Sequence, residues 1–491
     1  MFDMGGEEQT TAWGTLCLSS SETMDTAFHW LGLVGGGIIG WAPSVAVGLG
    51  LALASWMLLG HKIEQRRLLR CSFTEVLKNY QPGKILDLHH RFACLSHPKC
   101  WDVWVPGDPL IYGTVSPEIV DYVLVRNFAN WEKGSQWRTA FRDLLGDGIF
   151  NADGATWKKQ RKVASHEFSM RSLRDFMFEV FRLHAETVLT LVGAATGGAG
   201  TAQDIDMQAL FARYTLESIG QIGFGCSLGA LEDDGTMSAS FGDAFNTATQ
   251  RSGDRFIDPL WKIKRFLRIG SERELWSALK RVRAFSEGVI RERREESRSD
   301  PQILAGRQDL LSRFMRHGPP EPGAGKGSKV KSKEQEFEFT DEELHYTVIN
   351  FVLAGRDTTA NLLSWTLFRL SRHPEIVERI REEARNKALT YDSLGGRHFL
   401  RAVLTETLRL HPSVPLDFKA AVKADVLPDG TRIKAGQRVM FVAWSMGRQP
   451  HLWPNPDVYN PDRFLTDEGK FRFPSPSLFP AFLAGPRTCK S

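Results

Sequence analysis

Of the six cysteines in the chain, Cys489 stands in the segment best suited to ligand chemistry, Phe482-Leu-Ala-Gly485-Pro-Arg487-Thr-Cys489. A sulfur that binds metal as a thiolate needs backbone N–H donors around it, and a tight Gly/Pro loop supplies them. Phe482 offers a dry wall on one side, and Arg487 offers a cation to meet an anionic cofactor. A lone cysteine is ordinarily a small buried hydrophobe, so the weight of this reading comes from the rest of the chain. Cys17, Cys71, Cys94, Cys100 and Cys226 show no metal-finger spacing. Cys94 and Cys100 lie near each other, but no second pair completes a zinc site, and reduced thiols are expected.

A second chemical stretch is Ala354-Gly355-Arg356-Asp357-Thr358-Thr359, set inside a long apolar helix pattern. Glycine, an acid and hydroxyls cost helix propensity there and desolvation. Two readings offset that cost. In one, Asp357 pairs with Arg356, and Thr358 bonds back to a carbonyl one turn earlier. In the other, Gly355 admits a flat ligand, Thr358 hydrogen-bonds a small bound molecule, and Asp357 relays protons as a general acid. A third stretch, Thr156-Trp157-Lys158-Lys159-Gln160-Arg161-Lys162, places Trp157 and Arg161 on one helix face at i,i+4. A fourth is Glu406 with Arg409 at i,i+3, for which Arg463 in Pro461-Asp-Arg-Phe464 is a candidate partner. Buried, such a pair needs further partners.

The elements that must position these groups are mostly helices. Thr340-Asp-Glu-Glu343 is a capping box that starts a helix running to about Arg372, some thirty residues and about 45 Å long. Helices are also expected over 399–410 and 271–298, and amphipathic helices within 172–230. Val426-Leu-Pro-Asp-Gly430 and Ile433-Lys-Ala-Gly436 read as hairpin turns of a small β-region. Leu145-Gly-Asp-Gly148 to Gly154 reads as an ordered loop, and 317–333 as a flexible linker. No charged residue occurs between Trp30 and Gly60, a stretch long enough to cross a bilayer, which needs about 20 helical residues. Acidic residues precede it and Lys62, Arg66, Arg67 and Arg70 follow. A lumenal tail over 1–28, a transmembrane anchor over 29–60 and a cytosolic domain over 61–491 are therefore expected. The net charge of +4 over 491 residues is too small to argue for nucleic acid.

The cysteine loop resembles the haem-thiolate loop of the cytochrome P450 family, and Ala354 to Thr359 resembles that family's oxygen-activating helix. Trp157/Arg161 resembles its propionate-holding helix, and Glu406/Arg409/Arg463 its structural triad. The resemblance implies a mainly α fold with small β-sheets, a long central helix over haem (iron protoporphyrin IX), and a monooxygenase activity. It implies Cys489 as the axial ligand, and Asp357 and Thr358 as the proton-delivery pair. Trp157, Arg161, Lys419 and Arg487 would hold propionates, with Phe482 beside the sulfur. Lys419 falls where an arginine is usual, keeping the charge without the planar fork. The phrases Gly146-Asp-Gly-Ile-Phe-Asn151 and Arg161-Lys-Val-Ala-Ser-His-Glu-Phe168 look most like the fatty-acid and alkane ω-hydroxylating branch. That branch implies a lipophilic substrate, an NADPH-cytochrome reductase partner and the endoplasmic reticulum membrane. The lysines around Trp157 would then steer an acidic electron donor. The family pattern continues past the cysteine into a helix and a hairpin, whereas only Lys490 and Ser491 follow here, so a chain lacking that helix is expected. Two rival readings are a haem-thiolate isomerase or dehydratase of lipid hydroperoxides and an inert remnant without haem.

Overall fold

The computed structural model describes residues 69–489 apart from 72, 79–83, 97–99, 104–108, 168–175, 197–203, 233–235, 317–338 and 386. The expected tail, anchor and linker all lie outside the described residues. Among those described, no helix is long and apolar enough to cross a membrane.

Seven helices carry the architecture used below: α1 (Gly134–Leu145), α2 (Gly154–Glu167), α3 (Met207–Phe224), α4 (Thr236–Asp254), α5 (Gly270–Ser299), α6 (Asp341–Leu370) and α7 (His398–Leu410). The expected capping box forms. Thr340 Oγ1 accepts the Glu343 N–H at 3.2 Å, and Glu343 Oε2 accepts the Thr340 N–H at 2.8 Å. Two donors left over at the helix start are thereby satisfied. From there α6 runs as one 30-residue helix packed along α3 and against α5 and α7. Leu144, Ile219, Phe245, Val289 and Ile349 join these helices into the larger apolar core.

Among the described residues there are also eight short strands: β1 (Leu69–Cys71), β2 (Cys100–Val103), β3 (Ile111–Thr114), β4 (Trp131–Glu132), β5 (Asp417–Ala421), β6 (Asp425–Val426), β7 (Arg432–Ile433) and β8 (Arg438–Phe441). Six form one sheet in the order β1-β2-β3-β8-β5-β4, and β6 and β7 pair as a separate hairpin. The β-region expected near 426–443 is thus wider than its sequence shows. β3 pairs in parallel with β8, Ile111 opposite Arg438, and β5 pairs antiparallel with β8, Lys419 opposite Val439. Trp137 of α1 and Phe256 beyond α4 pack against both the helical core and the sheet core of Trp101, Tyr112, Trp131 and Phe441.

The glycine-bearing loop between α1 and α2 is ordered by Asn350 of α6. Its Oδ1 accepts the Phe150 N–H at 3.0 Å, and its Nδ2 donates to the Leu145 carbonyl at 3.2 Å. A Cβ on Gly148 would fall 2.0 Å from Asn350 Nδ2, so only glycine lets the loop sit this close.

Candidate active site

The cysteine loop closes on itself. The Cys489 N–H donates to the Phe482 carbonyl at 2.8 Å, and the Thr488 N–H donates to the Gly485 carbonyl at 3.0 Å. Gly485 has φ +66°, and a Cβ there would meet the Leu124 carbonyl oxygen at 2.1 Å. The glycine therefore serves both a left-handed turn and a close backbone approach. The Phe482 ring, half-buried, stands 6.2 Å from the Phe473 ring. Cys489 is exposed and takes part in no disulfide.

Helix α2 brings its predicted pair to this loop. The Arg161 guanidinium donates to the Thr488 carbonyl. Burial lowers its pKa, and the neighbouring Cys489 opposes that shift. Trp157 is buried, with the Arg487 guanidinium carbon 4.5 Å from its ring centre, a cation–π distance. Arg487 Nη2 donates to Asp153 Oδ1 at 2.5 Å and to the Ala152 carbonyl at 3.0 Å, while its buried Nε has no partner. Asp153 also takes Arg138 Nη1 at 3.0 Å and the Lys133 N–H at 3.2 Å. Lys159, expected on a donor-docking face, is engaged instead. Its Nζ lies 3.2 Å from Glu343 Oε1 and 4.5 Å from the Phe339 ring centre.

On the sheet side Lys419 is almost fully buried, and its Nζ donates to Asp417 Oδ2 at 2.5 Å and to the Phe418 carbonyl at 3.2 Å. Lys133, just before α1, puts its Nζ 3.5 Å from the same Asp417 oxygen and 4.5 Å from the Trp137 ring centre. Burial pushes Lys419 down to about 7; Asp417 resists this, and Lys133 and Arg487 add to it. Burial alone would raise Asp417, but Lys133 and Lys419 outweigh it and hold the carboxyl below its ordinary range. Lys133, Asp417 and Asp153 did not emerge from sequence reasoning. The only signals were the Lys133-Gly134 turn and the i,i+2 spacing of Asp417 and Lys419 on one strand face.

The middle of α6 follows the first of its two predicted readings. Thr358 Oγ1 donates to the Ala354 carbonyl at 2.6 Å, and Arg356 Nη1 lies 3.2 Å from Asp357 Oδ1. Asp357 is one-fifth exposed; burial raises its pKa and Arg356 opposes the rise. The Thr358 carbonyl accepts from Ser413 Oγ at 2.8 Å, which ties α6 to the segment after α7. Gly355 faces α3. A Cβ there would meet Ile219 Cδ1 at 2.7 Å, so the missing side chain serves the packing of α6 on α3.

Glu406, Arg409 and Arg463 come together as expected. Glu406 takes Arg409 Nε at 2.7 Å, Arg409 Nη2 at 2.8 Å, Arg463 Nε at 3.1 Å and the Asn460 N–H at 2.8 Å. A cleft of about 430 Å³ beside this triad is lined by Trp453, Asn455, Val458 and Arg463. Arg463 spends its donors on Glu406 and on the Pro454, Asn455 and Val458 carbonyls. The cleft therefore carries no reactive group.

A closed thiol loop, an indole, the guanidinium groups of Arg161 and Arg487, and Lys133 and Lys419 beside a shared carboxylate lie in these elements, a set whose chemistry would suit a flat anionic cofactor with a sulfur ligand. The donor set fits haem. Its unspent cationic donors suit the cofactor's carboxylates, and its thiol suits the iron. Such a donor set suits a haem-thiolate protein. The sequence profile of the cytochrome P450 family matches residues 79–490, and the chain belongs to that family. It is 39% identical over 415 residues to cytochrome P450 704B1 of Arabidopsis thaliana, covering 76% of each chain. It is 37% identical to cytochrome P450 704C1 of Pinus taeda, covering 77% of this chain and 74% of that one. Cytochrome P450 94C1 of Arabidopsis thaliana is also 37% identical, over 77% of this chain and 73% of the relative. Among solved structures, the haem domain of a cytochrome P450DA mutant matches with a TM-score of 0.67 at 22% identity, covering 84% of each chain, and supports the fold. The protein is a haem-binding monooxygenase.

Proposed function

We propose that the chain hydroxylates a long-chain lipid, a fatty acid or an alkane, with Cys489 as the sulfur that would hold the haem iron. Bound haem supplies the activation of dioxygen, which thiolate ligation favours. The chain's residues do the rest. Trp157, Arg161, Lys419 and Arg487 hold the propionates, and Phe482 shapes the loop through the carbonyl that receives the Cys489 N–H. Asp357 and Thr358 deliver protons along α6. Burial raises the pKa of Asp357, the direction that suits a proton donor, and Thr358, whose Oγ1 donates to the Ala354 carbonyl, would hold the next proton along α6. Electrons come from NADPH through a flavoprotein reductase. The apolar run over 29–60 anchors the domain to the endoplasmic reticulum membrane, which places it beside its lipophilic substrate.

The observation that carries this reading is the convergence of Arg161, Arg487 and Cys489 around one closed loop. The test is the reduced, carbon-monoxide-bound absorption spectrum of the expressed chain beside Cys489→Ala. A thiolate-type band in the first and none in the second supports ligation. Absence of the band from both overturns it. Turnover of a lipid hydroperoxide without NADPH, with none of a fatty acid with it, would establish the isomerase reading instead.

A further inference from the structure

The cluster of Lys133, Asp417 and Lys419 is an unusual use of buried charge. The three side chains are 8%, 7% and 1% exposed, yet two ammonium groups share one carboxylate, which leaves one net positive charge. Burying an unpaired charge costs several kcal/mol. An ammonium has three donors. Lys419 spends two, on Asp417 and the Phe418 carbonyl; Lys133 reaches the shared carboxylate only at 3.5 Å. Arg487, which acts electrostatically on Lys419 and Asp417, has a buried Nε with no partner. Unspent donors and surplus charge thus lie side by side.

We propose that Asp417 is a positioning residue for the anionic edge of the cofactor: by gripping Lys133 and Lys419 together, it holds two mutually repelling ammonium groups at one point, where an incoming carboxylate completes the cluster. This rests on the haem reading above. The groups facing Lys419 are Asp417 on its own strand, Lys133 before α1, Arg487 in the cysteine loop and, on β8, the Phe441 ring at 5.5 Å. Arg438 leans on the Phe418 ring. Asp417 is the only acid among these groups, so it alone favours a charged Lys419. An ammonium near its pKa attracts a carboxylate fully at lower pH and loses that attraction as pH rises.

The test compares haem release to excess apomyoglobin from the haem-loaded wild type, Asp417→Asn, Asp417→Glu and Lys419→Met, across pH 6 to 9. Release from the wild type should accelerate at pH values above about 7, where Lys419 loses its proton; a bound carboxylate favours the ammonium and moves that point upward from its value in the unloaded protein. In Asp417→Asn the acceleration should begin at lower pH, with release about tenfold faster at pH 8, as one pKa unit of lost charge implies. Asp417→Glu should restore most of the wild-type profile, and Lys419→Met should release haem fast at every pH alike. An unchanged profile in Asp417→Asn overturns the proposal, and so does an acceleration equal at all pH values, which marks simple loosening. A wild type that takes up no haem sinks the haem reading together with this one. A second arm titrates each haem-loaded protein with dodecanoic acid and with dodecanol. If Lys419→Met keeps its haem but loses preference for the acid, the carboxylate bound here is the substrate's, and the proposal falls.

Discussion

Replacing Glu406 by glutamine removes one negative charge from a place where neither it nor Arg409 has any exposed side-chain surface. The shape is kept, and the amide oxygen can still accept the Asn460 N–H. Two guanidinium groups, Arg409 and the one-tenth-exposed Arg463, lose their common counter-charge. Removing one partner of a buried ion pair costs about 3–5 kcal/mol. Arg409 nevertheless retains the Gly447, Pro456 and Val458 carbonyls, and Arg463 the Pro454, Asn455 and Val458 carbonyls. Those dipoles still solvate the charges, so the lower end, about 3 kcal/mol, is expected. Urea titration of the haem-loaded protein, followed by far-ultraviolet circular dichroism, reads the change. Asp462→Asn is the comparison, since its pair with Arg379 is about half exposed and should contribute no more than about 1 kcal/mol. A Glu406→Gln loss below about 1 kcal/mol, or one equal to that of Asp462→Asn, would show that backbone carbonyls alone hold the two arginines and that the triad is no brace.

Gly485→Ala should abolish haem uptake while leaving the helical dichroism intact. The new Cβ meets the Leu124 carbonyl oxygen, a backbone atom that cannot rotate away, at a positive φ that favours glycine. A haem content within twofold of wild type would refute it. Acid should weaken the fold through His345, whose Nδ1 lies 2.5 Å from Ser286 Oγ inside the core. Burial lowers its pKa from 6.5 to about 4, with Arg283 adding to the shift. The folded state therefore stays neutral where the unfolded chain takes a proton. Stability is fully present above pH 6.5 and is lost as pH falls toward 4, by up to about 1.4 kcal/mol per pH unit. His345→Asn should flatten that slope in urea titrations at pH 4.5 and 7, and an unchanged slope would exclude His345 as its source.

What could be read from the sequence was what short spacing encodes. The capping box at Thr340, the i,i+3 pair of Glu406 and Arg409, the Trp157/Arg161 face and the closed loop around Cys489 each lie within a few residues of chain. Their geometry follows from helix or turn rules. The partners were not legible, because they lie far apart in sequence. Lys133 and Asp417 are brought together by the pairing of β4 with β5, Trp131 opposite Ala421, and nothing local marks that register. The packing partner of Gly355 was illegible for the related reason that a bare helix face can receive either a ligand or another helix, and the structure sets Ile219 of α3 against it.

The two buried charge clusters differ in how their excess charge is met, although each counts two cations to one acid. Around Glu406 the excess charge is absorbed by backbone carbonyls, and one arginine reaches the solvent edge. Every guanidinium bond is spent inside the protein, so ligand binding would have to break what is already made. Around Asp417 the cations are lysines, compact and strongly hydrated, held on a strand and a turn whose carbonyls are largely committed to the sheet. Phe418 gives one carbonyl and Trp137 a ring face; among the described residues Asp417 is the acid that pairs with both lysines. A chain selected for stability alone would gain by making either lysine apolar. Retaining both, beside Arg487 with its unspent Nε, is physically reasonable only if the folded protein ordinarily meets an anion there. On the proposal made above, the haem carboxylates are the anions this cluster would receive.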